Sequence, residues 1–118
     1  MDTKEAITAF SQSDKIKSGL IWISHSIEMI NSLSPPEQKG AEQIIRMFVQ
    51  MLDQEIVIAR RFSSDMPWDE VIKHIDKARI MLHSGVPAEA TFHLTRALSR
   101  VTDIGQRSMS FLKDEGLL

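Results

Sequence analysis

The stretch Ser34–Phe62, SPPEQKGAEQIIRMFVQMLDQEIVIARRF, decides the fold. Ser34 suits an N-cap, Pro35 falls where a missing N–H costs nothing, and Glu37 completes an S-x-x-E capping box. Beyond that start, Gly40 near the first turn is the one residue that weakens a helix. At the rise of an α-helix the element is about 40 Å long.

Its apolar positions fall in two stripes. Ala41, Ile45, Phe48, Leu52, Ile56 and Ala59 form one; Ile44, Met47, Met51 and Ile58 form the other. Together they cover about 200° of the circumference, where a helix on the outside of a bundle needs roughly 100–140°. The excess predicts burial on two sides, against the helix's own bundle and against a second surface. The plainer alternative is a deep core helix with Met filling gaps. Glu55 projects into the same arc, where a carboxylate has to be paired, protonated or wetted.

Working outward, residues 3–33 read as a first helix, with Ile16, Leu20, Ile23, Ile27 and Ile30 as its core stripe. Its one point of ambiguity is the run Ser11–Asp14. Trp22, Met29 and Leu33 form a flanking line, which places Trp22 at a rim or against another chain. Gly19 and Ser26, small and nearby, let another helix approach closely.

After Phe62 the run SSDMPWDE turns the chain, with Ser64 or Asp65 as the expected cap and Pro67 in the first turn. Trp68, Val71, Ile75, Ala78 and Leu82 form the core face of a third helix, which Ser84-Gly85-Val86-Pro87 stops. The fourth helix buries Ala90, Leu94, Ala97, Leu98, Val101, Ile104, Gly105, Phe111 and Leu112, with Ser108 bonding back one turn and KDEGLL frayed. The expected architecture is all-α: one domain, 1–118, an antiparallel up-down four-helix bundle with helices at about 3–33, 35–62, 66–84 and 87–114. The third is the shortest.

Composition narrows the function classes. The net charge of −2 disfavours a general nucleic-acid binder and offers no polybasic membrane signal; the absence of Cys excludes disulfides and thiolate chemistry. The stretch GLIWISHSIEMI is too short to span a bilayer and contains His25 and Glu28. With no secretory signal pattern at its start, the chain is expected in the cytoplasm.

The chemical motifs are weak. Glu70–His74 and Glu89–His93 both read E-x-x-x-H, but di-iron bundles use E-x-x-H with carboxylates from every inner face. Surface hydrogen-bonded pairs are the simpler reading, and no metal or cofactor is expected. Neither His25 nor His83 has the following residues of a phosphotransfer histidine. Arg79 and His83 lie one residue short of the Arg–His spacing of helical ribonucleases. Arg96, Arg100 and Arg107, interrupted by Asp103, read as a solvated face.

Two charged residues stand inside apolar faces, Glu55 and Arg79. Counting levels from the turns places Glu55, His74, Arg79 and His93 in one polar seam, with Glu55 paired to His74 or Arg79. That seam is either a network fixing helix register or a small ligand site. In size and helix number the chain is similar to secretion and flagellar export chaperones, a likeness of architecture with no motif behind it. The leading expectation is a non-enzymatic interaction protein, a homodimer or an adaptor for a partner helix. Its interface would comprise Trp22, Met29, Leu33, Ile44, Met47, Met51 and Ile58. The alternative is a ligand-binding or catalytic bundle using the Glu55/Arg79 seam.

Overall fold

The computed structural model describes all 118 residues, Met1–Leu118. It is an antiparallel four-helix bundle without strands: α1 Thr3–Ile30, α2 Pro35–Phe62, α3 Trp68–His83 and α4 Pro87–Asp114. The rod measures 53 × 21 × 18 Å. Each helix packs on its two neighbours in a ring, α1 on α2 and α4, α3 on α2 and α4, and the diagonal pairs do not meet.

The helix boundaries follow local chemistry. Asp2 accepts from the Glu5 N–H at 2.8 Å and starts α1, which then runs unbroken through Ser11–Asp14. It ends at Ile30, three residues before the expected end, in a turn closed by Leu33 N–H to Ile30 carbonyl at 3.0 Å. Glu37 reaches back to accept from the Ser34 N–H at 2.9 Å and starts α2.

The third helix starts later than expected. Pro67 is its N-cap, and neither Ser64 nor Asp65 caps it. Trp68 explains the shift: its indole N–H donates to Ser63 Oγ at 3.0 Å and to the Ser63 carbonyl at 3.2 Å, holding the connection against the core. Met66 is buried beneath the same turn.

Gly85 ends α3 with φ +75°, a conformation that favours glycine. Val86 N–H bonds the Met81 carbonyl at 3.0 Å and Gly85 N–H bonds Leu82 at 3.2 Å, the two bonds of a Schellman motif. The same closure recurs at Gly116, so the C-terminal residues expected to fray begin with an ordered cap.

The core is continuous. Ile16, Leu20, Ile23, Ile27 and Ile30 of α1 meet Ile45, Val49, Leu52, Ile56 and Ala59 of α2. From the other side come Trp68, Val71, Ile75, Ala78 and Leu82 of α3 with Ala90, Leu94, Ala97, Val101 and Ile104 of α4. Ser108, buried in α4, donates to the Ile104 carbonyl at 2.8 Å, one turn back. Two positions depart from the expected stripe on α2: Ala41 is half-buried, and Val49 takes the core place of Phe48, which is 40% exposed. The inward direction of α2 is rotated toward α3, which leaves its other flank outside. Leu98, Gly105 and Phe111 on α4 are half-buried rather than core, at the two edges of the buried stripe that runs from Ala90 to Leu112.

Candidate functional site

The flank of α2 turned out of the core lies beside α1. Ile44 and Met47 are each 52% exposed and Met51 is 53% exposed, while on α1 Trp22 is 69% and Met29 64% exposed. Trp22, Phe48 and Met51 line a half-open groove of about 310 Å³ along the α1–α2 seam, with Gly19 and Ser26 also lining it. A Cβ at Gly19 would lie 2.6 Å from Leu52 Cδ2, so a larger residue there requires Leu52 to shift. The close approach of the two helices brings both exposed stripes into one face.

Of the expected interface residues, Ile58 is 43% exposed farther along α2, and Leu33 is half-buried in the turn. The alternative that the Met residues of α2 are core fillers does not hold.

Glu55 closes one end of the groove. Its carboxylate accepts from Lys15 Nζ at 2.9 Å and from Gln12 Nε2 at 3.1 Å, and Gln12 also donates to the Glu55 carbonyl at 3.0 Å. Gln12 first, then Lys15, hold the Glu55 carboxyl below its ordinary pKa, against the opposing effect of burial.

The expected pairing of Glu55 with His74 or Arg79 is therefore not formed, and the reason is azimuth. Level counts gave heights along the bundle but ignored direction. Glu55 and Asp53 are two residues apart, about 160° round the helix, so they face opposite sides of α2. Glu55 faces α1, and Asp53 faces α3.

Arg79 is accordingly held by Asp53, which is not among the residues expected in the seam. The guanidinium makes two bonds to that carboxylate, at 2.7 and 3.0 Å, and a third to Asp76 at 3.2 Å. The hydrogen bond that Arg79 donates to Asp53 is the largest influence raising the Arg79 pKa. The fork ties α2 to α3 across their open seam, beside a hollow of about 300 Å³ lined by Arg46, Gln50, Arg79 and His83 among others. Asp53→Ala and Arg79→Met are expected to show a coupling energy of about 1 kcal/mol in a double-mutant cycle of urea unfolding. Strict additivity would remove the fork's stabilising role.

His74 faces neither partner. It is 7% exposed, with a buried Nδ1 that has no hydrogen-bond partner. Burial first, then the charges of Lys77, Arg100, Lys73 and Arg96, push its pKa down. His74 therefore belongs to the α3–α4 seam; it and Arg79, five residues apart, point about 140° away from each other. His93 on α4 packs edge-on against Phe92, ring centroids 5.3 Å apart, with its own Nδ1 buried and unpartnered. Glu55 thus lies on the α1–α2 seam, Arg79 on α2–α3 and His74 on α3–α4, and no hydrogen bond joins these residues or His93.

A stability consequence follows for His74. A folded pKa below the unfolded one means that the unfolded chain binds the proton first as pH falls. The stabilisation is present above about pH 6.5, the ordinary histidine value, and is lost as pH drops toward the folded pKa. His74→Leu should reduce the loss of stability between about pH 7 and pH 5, and at neutral pH should cost less than about 1 kcal/mol, since it removes an unpaired buried polar atom. An unchanged pH slope would contradict this.

No three His, Asp or Glu side chains converge on a metal-sized space. Arg96 lies over the Phe92 ring at 4.8 Å and Arg100 lies 3.9 Å from Asp103, so two of the three helix-four arginines already have local partners. No helix is long and apolar enough to cross a membrane. No protein-family model, curated protein or solved structure matches the chain.

Proposed function

We propose that this chain is a non-enzymatic interaction protein that works by burying the α1–α2 face against another protein surface. One observation carries the reading: Trp22, Met29, Ile44, Met47 and Met51 are each more than half exposed, on two adjacent helices. Monomeric proteins seldom leave more than about 300–600 Å² of contiguous apolar surface bare without a use for it. Met is well suited to such a face because its unbranched side chain repacks against a partner. The separation of Glu55, Arg79 and His74 onto three different seams supports a binding role over a catalytic one. Cytoplasmic location is part of the proposal and rests on the sequence reading alone.

The test separates a contact face from a core. The double variant Met47→Lys with Met51→Lys should remain folded in dilute solution, with an unfolding free energy within about 0.5 kcal/mol of wild type per site, as for exposed positions. A loss of more than about 3 kcal/mol would mean that these residues hold the bundle together, and the reading would fail.

A further inference from the structure

We infer that the occupant of the α1–α2 face is a second copy of this chain, docked in an isologous contact about a two-fold axis lying in the plane of the contact; the inference rests on the interaction reading above. Area is the first argument. The exposed fractions of Trp22, Met29, Ile44, Met47, Phe48 and Met51 correspond to about 650 Å² of surface if each residue is given roughly 200 Å², the middle of the range for aromatic side chains. Two such faces bury about 1,300 Å² before any rim is counted, within the roughly 1,200–2,000 Å² of a stable complex.

Charge is the second argument. The only formal charges lining the groove are Lys15 and Glu55, and they neutralise each other at 2.9 Å. A face of zero net charge meets its own copy without repulsion, whereas selection of a charged partner needs unpaired charges on the rim. Geometry is the third. A two-fold axis in the contact plane and perpendicular to the bundle sets the two α2 helices antiparallel, so a residue near the axis meets its counterpart and every contact occurs twice. Trp22, the largest and most exposed of these side chains, then packs against the partner's apolar face rather than in water, as aromatic anchors of interfaces do.

The chain contains no Cys, so single introduced thiols report on proximity without interference. Met29→Cys, Met47→Cys and Met51→Cys sample the face, and Ser99→Cys, exposed on α4, serves as reference. Thiols held close in a complex experience effective concentrations near the millimolar range, so at micromolar protein at least one face variant should form a disulfide-linked dimer about tenfold or more faster than Ser99→Cys. A short bifunctional thiol reagent covers a position a few ångströms off the axis. If no face variant cross-links faster than Ser99→Cys by either route, the second copy is overturned. The Lys double variant then tells which claim has failed. Retained folding leaves the face as a contact for another protein, and lost folding removes the interaction reading as well.

Discussion

Trp68→Ala is expected to lower the unfolding free energy by about 3–5 kcal/mol, the cost of emptying a core aromatic site. Trp68 is fully buried at the start of α3, and it joins two levels of structure. Its ring fills the core, while its N–H satisfies Ser63 Oγ and the Ser63 carbonyl at the end of α2. Ser63 is itself fully buried, and its hydroxyl donates to the Ala59 carbonyl. Alanine leaves a cavity and also strips the donor from a buried acceptor pair, where water cannot replace it without entering the core. Trp68→Phe separates the two effects: much of the ring volume remains and the donor goes, so the cost falls to roughly 1–3 kcal/mol. Urea unfolding followed by far-ultraviolet circular dichroism measures both. A cost below about 1 kcal/mol for Trp68→Ala would contradict the anchoring role.

The second large effect concerns association. Met47→Lys with Met51→Lys places two ammonium groups per copy in the centre of the apolar face, four in a symmetric complex. Each either loses its hydration or holds the surfaces apart, and no unpaired carboxylate lines the groove to receive it, because Glu55 is already bonded to Lys15 and Gln12. Losses of a few kcal/mol are usual when central interface positions are altered, so the dimer dissociation constant should rise at least about 100-fold. The same variant retains its fold when dilute. Equal dissociation constants for variant and wild type would place the contact elsewhere.

The core stripes of α1 and α3 are readable in the sequence because both helices present one apolar direction: Ile16 through Ile30 and Trp68 through Leu82 are all buried as their spacing requires. Capping chemistry located Ser34 and Gly85 equally well, since those signals act within a few residues. Helix two was harder. Its two stripes said correctly that one was surplus, but periodicity alone does not fix which direction is inward, and Phe48 was assigned to the core in place of Val49. The polar residues failed on the same point. Height along a bundle comes from counting through the turns, whereas partner choice depends on azimuth, and that needs all four helices placed. Asp53 illustrates the difference: it sits two residues from Glu55 yet serves the opposite seam, and its signal was its direction toward α3 beside the inward-turning Arg79. Gln12 and Lys15 carry no local signal of pairing with Glu55, because only the placement of α1 against α2 brings them to it.

If the α1–α2 face is a contact surface covered by a second copy, the chain associates in a concentration-dependent way. Sedimentation velocity of the wild-type chain across micromolar concentrations tests this most directly. A species of twice the 13.4 kDa chain mass, growing with concentration and absent from Met47→Lys with Met51→Lys, is the predicted result. A single 13.4 kDa species up to high micromolar concentration would contradict it.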